Sequence, residues 1–347
     1  MRIIHREDQE AREHEVLAAD ASFADATEGR ARSTEPDILR TDYQRDRDKI
    51  LHTKSFRRLS HKTQVFLAAE GDHFRTRLTH TLEVAQIART CARALGLNED
   101  LTEAISLGHD LGHTPFGHTG EAALANALAR HKGIAPDTPE ARALYRHNEQ
   151  SLRVVERIEN GGRGLNLTAE VRDGIVNHTG DLRAETLEGR IVAVADRIAY
   201  VNHDIDDAIR AGILAEGDLP ATTHAVLGPD HSSRIETLVR DLVDTSAAAD
   251  DICMSDAVWA AMMELRAFLF DRVYTAPIVM AEVEKATRLI GGLFDHYVAR
   301  IDEVPPEYRA ISEGDDLRAV ADYVAGMTDR YAMSLYQQLF VPNATKY

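Results

Sequence analysis

The stretch LNEDLTEAISLGHDLGHTPFGHTGE, residues 97–121, decides the fold class of this chain. Asn98 is a typical N-cap residue for a helix. The apolar residues that follow it recur at helical spacing, namely Leu101, Ala104, Ile105 and Leu107. Gly112 is a typical stop for this helix, so His109 and Asp110 are expected close to its end. The stretch therefore predicts a helix that carries a His-Asp pair at its C-terminal end.

Helical spacing of apolar residues recurs along most of the chain, whereas the alternation that is typical of strands is almost missing. Helices are predicted at about residues 79–95, 119–130, 169–177, 255–274 and 276–301, and a longer one over LEGRIVAVADRIAYVNHDIDDAIRAGIL, which begins at Leu187. We therefore predict an all-α fold class.

Three regions are predicted along the chain. Residues 1–36 are polar and weakly periodic, which indicates a flexible lead-in, and regular structure is expected to begin near Arg45. Residues 37–215 are predicted to form the helical core. Residues 216–347 contain further amphipathic helices without a clear linker before them. We expect this C-terminal region to pack on the core rather than to form an independent domain.

The composition restricts the classes of partner. The chain has 347 residues and a formal net charge of -17. This charge opposes a protein that coats nucleic acid, because such binding depends on many lysine and arginine contacts to phosphates. A small anionic ligand needs only a local basic pocket and a metal ion. The charged N-terminus has no apolar signal segment, and no stretch is long and uncharged enough to span a bilayer. We expect a cytoplasmic location and no membrane partner.

Four scattered residues are candidate ligands for one divalent metal ion: His80, His109, Asp110 and Asp196. Two imidazoles and two carboxylates form a mixed nitrogen and oxygen set that leaves coordination positions for water and a phosphate oxygen. This set suits Mg, Mn, Fe, Co or Ni better than structural zinc. A single buried His or Asp is far more often a hydrogen-bonded core residue. The ordered set favours a metal site and makes phosphoester hydrolysis the leading hypothesis.

Six stretches of the chain resemble the bacterial dGTP triphosphohydrolase-like proteins of the HD superfamily. They are RDRDKILHTKSFRRLSHKTQVF, EGDHFRTRLTHTLEVAQIAR, LNEDLTEAISLGHDLGHTPFGHTGE, HNEQSLRVVE, LNLTAEVRDGI and DRIAYVNHDIDDAI. The resemblance extends over about residues 36–215 and is weaker in the C-terminal third. It implies an HD-domain helical core with additional C-terminal helices. It also implies a hydrolase that attacks a deoxynucleoside triphosphate (dNTP) at the α-phosphorus and releases deoxynucleoside and tripolyphosphate.

The resemblance places the metal ligands on the same four residues. It also implies a group that crowds the scissile phosphate, formed by His113, His118, Glu121 and His147. Imidazoles that titrate near neutral pH can donate a proton to the leaving 5′-oxygen. We assign His118 with Glu121 as the acid/base pair, and His113 and His147 as phosphate contacts or alternates. Two alternatives stay open: His118 and Glu121 as an ordinary pair at a helix start, and His147 as a surface residue.

Substrate contacts also follow from the resemblance. It implies that Arg77 meets the α-phosphate, that Gln64 reads the sugar 3′-hydroxyl, and that Tyr200 stacks on the deoxyribose with Asp204 near its 3′-hydroxyl. On a helix, Tyr200 and Asp204 share one face with Asp196, because the three follow at intervals of four residues. Tyr200 as a plain core residue is the alternative.

A run of cationic residues lies at positions 45–62. It supplies one further candidate for a phosphate contact, Arg58. The alternative is a solvated helix face on which these cations pair with the interleaved aspartates. One departure from the family is the segment Leu144–Arg146, where relatives commonly have a glycine and an aromatic residue. It affects the expected pose of His147 and the base preference, and it leaves the metal set untouched.

The resemblance implies a homo-oligomer, since relatives form ring-like or two-fold assemblies and some are activated by a second dNTP at a subunit interface. Two other functions stay open. One is another HD phosphohydrolase, such as a 5′-nucleotidase or a phosphodiesterase. The other is a non-catalytic protein that binds dNTPs or single-stranded nucleic acid.

Overall fold

The computed structural model describes residues 3–64 and 75–342. Within these residues the regular structure is helical, and the extended pairing is limited to two isolated bridges, Arg30 with Thr168 and Thr63 with Thr76. The all-α prediction is confirmed. None of the helices in the described part of the chain has the length and apolar character that a bilayer crossing requires.

The α-helices of the described residues follow in chain order. They are α1 (Arg6–Val16), α2 (Asp42–Leu51), α3 (Lys54–Arg58), α4 (Arg77–Ala94), α5 (Glu99–Gly108), α6 (Gly117–His131), α7 (Pro139–Arg142), α8 (His147–Arg153), α9 (Ala169–Val176), α10 (Leu187–Arg210), α11 (His231–Ala249), α12 (Asp256–Leu269), α13 (Pro277–Ala299), α14 (Pro306–Ile311), α15 (Asp316–Ala325) and α16 (Asp329–Phe340). Short π-helical turns extend α8 and α12 to Ile158 and Tyr274.

The chain forms two compact units whose segments alternate along the sequence. The first unit comprises Met1–His52, Thr79–His109 and Asn166–Val279. The second unit comprises Thr53–Leu78, Asp110–Leu165 and Met280–Tyr347. The three-region division at residues 36 and 215 stays a prediction.

Helix α5 is the centre of the first unit. Its predicted apolar face is buried and packs against α2, α9 and α10, with Leu101 and Ile105 fully buried. Asn98 caps the helix, because its side-chain oxygen accepts the backbone N–H groups of Asp100 and Leu101 at 3.1 and 3.2 Å. The cap and the packing together fix the position of the residue that follows the helix, His109.

The N-terminal segment is part of the first unit. Glu13 in α1 accepts a hydrogen bond from the Asn98 side-chain amide at 3.1 Å, and Arg30 pairs with the buried Asp46. The expectation that regular structure begins near Arg45 is wrong, because Arg6–Val16 form a helix. Polar contacts hold this helix, and hydrophobic periodicity cannot detect such contacts.

Helix α6 is the centre of the second unit. Its apolar side lies in a cluster with residues of α13, α15 and α16, of which Leu124, Ile290, Phe294 and Val320 are fully buried. This cluster fixes α6, whose first two turns carry His118 and Glu121. The C-terminal region is thus helical, as predicted, and contributes most of the buried residues of this cluster.

Candidate active site

The first unit brings together three of the four predicted metal ligands. His80 lies in the first turn of α4, His109 directly follows α5, and Asp196 lies on α10. The Nε2 atoms of His80 and His109 lie 3.0 and 3.9 Å from one carboxylate oxygen of Asp196. Asp110 follows His109 in the chain and belongs to the second unit. The two imidazoles therefore converge on the Asp196 carboxylate.

Hydrogen bonding of its other nitrogen sets the orientation of His109. Nδ1 lies 2.6 Å from the carbonyl oxygen of Ser106, which can only accept, so Nδ1 carries the proton. When the ring is neutral, the lone pair is therefore on Nε2, the atom that faces Asp196. This is the arrangement typical of a metal-bound histidine, whose second nitrogen donates to a carbonyl or carboxylate. The donor set of the first unit thus fits a divalent cation.

The pKa of the Asp196 carboxyl group is lower than that of an ordinary aspartate, so the group is ionised at neutral pH. Burial acts to raise its pKa, but the hydrogen bond with His80 and the electrostatic interactions with the imidazoles of His80, His109 and His178 outweigh burial and lower the pKa. An ionised carboxylate is the form that a metal ion requires.

Sequence reasoning missed two histidines beside these ligands. His178, just after α9, is buried, and its ring centroid lies 4.9 Å from that of His109. His203 on α10 lies 5.9 Å from His80 between ring centroids and pairs with Glu83 at 2.6 Å. Burial of an imidazole is the signal, and it cannot be read from a single sequence. These side chains extend the polar environment of the candidate metal ligands.

The predicted sugar-binding residues share a face of α10, as expected, and the structure adds partners from the region of α12. The hydroxyl oxygen of Tyr200 accepts a hydrogen bond from Arg266 Nε at 2.8 Å. The hydroxyl of Tyr274 donates to the buried carboxylate of Asp204. Sequence reasoning missed Arg266 and Tyr274, because the sequence does not indicate which face of this helix meets α10.

In the second unit, Asp110 lies between two other candidates. Arg77 Nη1 donates to one oxygen of the Asp110 carboxylate at 2.7 Å, and His113 Nε2 lies 3.1 Å from the other. All three side chains are buried. Arg77, predicted to meet a phosphate, thus pairs with Asp110 in this structure.

Gly112 allows the closest approach of chain segments in the second unit. A Cβ atom at this position would lie 2.2 Å from the Ser151 backbone nitrogen and 2.3 Å from the His147 carbonyl oxygen. The Gly112 N–H also donates to the Ser151 hydroxyl at 2.8 Å. Only glycine lets α8 approach the segment that follows the His-Asp pair, and this approach places His147 beside His113.

The four predicted catalytic residues form one cluster. Their potential ligand or proton-carrying atoms all lie within 4.8 Å of one another. Glu121 Oε2 lies 3.2 Å from His118 Nδ1 and 3.0 Å from His147 Nδ1. The rings of His113 and His147 are stacked, with centroids 3.9 Å apart. The alternative that His147 is a surface residue is wrong, since His147 is buried, whereas 77% of the His118 side chain is exposed.

Electrostatics give the members of this cluster different charges. Burial acts to raise the pKa of Glu121, but the His147 charge and the two histidine hydrogen bonds lower it well below its usual value. Burial acts to lower the pKa of His147, yet the Glu121 carboxylate outweighs burial and raises it. Burial, together with the charges of Arg77 and His147, lowers the pKa of His113. These shifts favour an anionic Glu121, a protonated His147 and a neutral His113.

The remaining two substrate candidates lie elsewhere in the second unit. Arg58 lines a pocket together with Lys62, Gly112, Tyr308 and other residues. Gln64 is the last residue before the segment 65–74, which lies outside the described residues. The side-chain oxygen of Gln64 is buried and has no hydrogen-bond partner among the described residues. Among the described residues, neither Arg58 nor Gln64 makes a direct hydrogen bond to the histidine cluster.

Comparison with known proteins first defines the class. Residues 77–201 match the HD domain, and residues 252–338 match the phosphohydrolase-associated domain. The first match contains the predicted metal and catalytic residues from Arg77 to Tyr200. The second contains most of α12 to α16.

Curated relatives match almost the full chain. A deoxyguanosinetriphosphate triphosphohydrolase-like protein of Caldanaerobacter subterraneus is 52% identical, with 97% of this chain and 96% of the relative covered. Proteins of the same description from Desulfatibacillum aliphaticivorans and Clostridium perfringens are each 46% identical, over 97% and 99% of this chain and 98% and 99% of their own. The chain belongs to the deoxyguanosinetriphosphate triphosphohydrolase-like family.

Proposed function

We propose that this protein is a metal-dependent dNTP triphosphohydrolase that releases deoxynucleoside and tripolyphosphate, with dGTP among its substrates. One observation carries the proposal: an exposed imidazole, His118, and a buried one, His147, share the carboxylate of Glu121 in a chain of this family. Hydrolysis at the α-phosphorus requires a group that protonates the leaving 5′-oxygen and positive charge beside the phosphate oxygens. The cluster supplies both.

His80, His109, Asp110 and Asp196 would hold one divalent ion. Mg, Mn, Fe, Co and Ni all accept this set of two imidazoles and two carboxylates. When bound, the ion supplies positive charge to phosphate oxygens and makes water a better nucleophile. The support is the convergence of both imidazoles on ionised Asp196 and the proton that His109 keeps on Nδ1.

The chemical step moves one proton through His118. Water attacks the α-phosphorus, the bond from phosphorus to the 5′-oxygen breaks, and the 5′-oxygen takes a proton. His118 Nδ1 faces Glu121, so the exposed edge with Nε2 is free to give that proton. Glu121 orients the His118 ring for this transfer. The attacking water loses one proton to solvent as its oxygen bonds to phosphorus, and its other proton stays on the product phosphate. His118 regains a proton from solvent after the leaving group has departed.

His147 and His113 contribute in different ways. Glu121 raises the pKa of His147 and so favours its protonated form, which would offset negative charge on the α-phosphoryl oxygens as the leaving group departs. His113 is neutral and stacked on His147, and it lies on Asp110. His113 therefore holds the ring of His147 beside Asp110.

The sugar is assigned to the face of α10. Tyr200 would stack on the deoxyribose, and a ring packed against C2′ would exclude a ribose hydroxyl. Asp204 would accept a hydrogen bond from the 3′-hydroxyl, with Tyr274 holding its carboxylate in place. Arg77 and Gln64 are assigned to the α-phosphate and the sugar 3′-hydroxyl on the resemblance to the family alone, and Arg58 is assigned to a phosphate on the cationic run at residues 45–62.

A homo-oligomer in the cytoplasm, with a second dNTP that activates at a subunit interface, completes the proposal. The oligomer and the activation rest on the family resemblance. Light scattering of the purified protein and turnover of one dNTP with and without a second dNTP test it. A monomer that shows no activation in any mixture contradicts it.

Chromatographic product analysis tests the reaction. Each dNTP is incubated with the purified protein in Mg, Mn or Co buffer, with Asp196→Asn as the inactive control. Deoxynucleoside and tripolyphosphate are expected in equal amounts. Monophosphate with pyrophosphate, or phosphate release from a monophosphate, favours another HD phosphohydrolase. Binding without turnover in every buffer favours a dNTP-binding protein.

A further inference from the structure

Asp329, the first residue of α16, joins two segments that are distant in sequence. One carboxylate oxygen accepts the backbone N–H of Thr63 at 2.8 Å and also the Thr63 hydroxyl. The other accepts the backbone N–H of Phe116 at 3.0 Å. Asp329 is buried, with 7% of its surface exposed. The proposed reaction does not use this carboxylate, although it lies in the phosphohydrolase-associated region.

The Phe116 end of this bridge is a strained turn between two catalytic candidates. Phe116 has φ of 64°, in the left-handed region that a bulky side chain rarely adopts, and Gly117 follows with φ of 57°. A Cβ at position 117 would lie 2.7 Å from Nη2 of Arg77. The turn lies between His113 and His118 in the sequence. A strained conformation persists only where the surroundings hold it, and Asp329 is the side chain that binds its N–H.

Lys62 forms a second bridge between the same segments. Its buried ammonium group donates to the carbonyl oxygen of Ala325, the last residue of α15, at 2.9 Å, and to the carbonyl oxygen of His113. Burial lowers the pKa of the Lys62 amine to about 7, while the Asp329 charge works against that shift. The connection from α15 to α16 thus contributes one carbonyl and one carboxylate to this bracing.

The Thr63 end lies beside two substrate candidates. Gln64 follows Thr63 directly, and the Lys62 carbonyl oxygen accepts the backbone N–H of Arg77 at 3.0 Å. Thr63 also pairs with Thr76 as an isolated bridge. Displacement of Thr63 would therefore move the backbone that carries both Gln64 and Arg77.

We propose that Asp329 is a positioning residue for the reaction, which fixes the turn between His113 and His118 and the backbone before Gln64 at the same time. The inference rests on the proposed function. It gives the phosphohydrolase-associated region a direct part in arranging the chemistry. A displacement of about 1 Å in such a group can lower a rate about 100-fold, so loss of the carboxylate should lower kcat.

Steady-state kinetics of Asp329→Ala and Asp329→Asn test this role against a matched pair, Asp315→Ala and Asp315→Asn. Asp315 caps α15 by accepting the Arg318 N–H at 2.9 Å and is exposed. Both pairs remove a carboxylate at a helix start of the same region, but only Asp329 contacts the turn. We expect kcat to fall about 10- to 100-fold in Asp329→Ala with unchanged metal content. Asp329→Asn should recover part of it, since its amide oxygen still accepts one N–H, and both Asp315 variants should keep the wild-type kcat.

Hydrogen exchange gives a readout that is independent of turnover. The Phe116 amide should exchange faster in Asp329→Ala than in Asp315→Ala at matched global stability. If Asp329→Ala does not fold, Thr63→Val takes its place in the test. This variant removes only the hydroxyl contact to Asp329 and should still lower kcat. If the Asp329 and Asp315 variants have equal kcat, the inference is overturned. Turnover by the wild-type protein in the same assay upholds the proposed function in that case. Absence of wild-type turnover is the failure of the proposed function itself.

Discussion

The Glu121 carboxylate contacts both the backbone and the imidazole ring of His147. One carboxylate oxygen accepts the His147 N–H at 2.9 Å, and the other lies 3.0 Å from Nδ1. The first contact fixes the start of α8 on α6. The second sets the charge of the imidazole, because an ionised carboxylate favours the protonated ring.

The pH dependence of turnover should therefore follow Glu121. The carboxylate raises the pKa of His147, so the imidazolium persists to higher pH than in an ordinary histidine. Glu121→Gln removes this charge, burial then dominates, and the pKa of His147 falls. We expect the loss of activity on the basic side to move to lower pH. NMR titration of labelled histidine and the pH profile of kcat measure the shift. Glu149→Gln, an exposed carboxylate two residues from His147, is the control. An unchanged His147 titration in Glu121→Gln contradicts the assignment.

Replacement of His118 should remove turnover and spare the metal. A positioned general acid contributes about 10²- to 10⁴-fold to a rate, so His118→Ala should lose a factor in that range. The matched control is His131→Ala at the other end of α6, where the imidazole pairs with Asp295. Rates from single-turnover assays, with metal content from elemental analysis, provide the comparison. Equal rates for the two variants would remove His118 from the mechanism.

Asp196 should be essential for metal content. Asp196→Asn replaces an ionised ligand with a neutral amide, and the affinity for the divalent ion should fall by about 100-fold or more. Asp204→Asn, on the same face of α10, should retain the metal. Calorimetric titration of the metal-stripped proteins with Mn or Co measures both affinities. A wild-type affinity in Asp196→Asn would place the metal elsewhere.

Asp204 should act on the sugar alone. We expect Asp204→Asn to lower kcat/KM for a dNTP by about 10-fold, the order of one hydrogen bond to a charged group. The corresponding 2′,3′-dideoxy substrate has no 3′-hydroxyl, so its kcat/KM should be similar in wild type and variant. Kinetics with the two substrates form a double-mutant cycle. Equal losses with both substrates would show that Asp204 does not meet the 3′-hydroxyl.

Gly112 should tolerate no side chain. Gly112→Ala places a Cβ against the backbone of α8, which we expect to destabilise the fold by about 3 kcal/mol and to displace His147. The contacts are backbone atoms, so no side-chain rotation relieves them. Gly217→Ala, whose Cβ meets nothing within 4 Å, is the control. Urea denaturation of both variants measures the difference. Equal stability of the two variants would contradict the packing described for α8.

The sequence was sufficient for the regular structure around the site. Asn98 and the apolar spacing after it gave α5 its start and its buried face, because capping and periodicity are local properties. Long-range polar contacts could not be predicted in this way. Glu13 with Asn98, Tyr274 with Asp204, and Asp329 with Phe116 each join residues that are far apart in sequence. The metal set could be proposed from its donor chemistry, whereas the catalytic roles and most substrate contacts came from the family resemblance, and all of these roles stay predictions.

The most direct test of the central claim is hydrolysis of dGTP in oxygen-18-labelled water, with mass spectrometry of both products. Attack of water on the α-phosphorus puts the label in tripolyphosphate and leaves deoxyguanosine unlabelled, which is the predicted result. Label in deoxyguanosine would mean attack at the 5′-carbon. Labelled pyrophosphate or orthophosphate, or labelled monophosphate, would mean cleavage at another bond. Either result would contradict the proposed reaction.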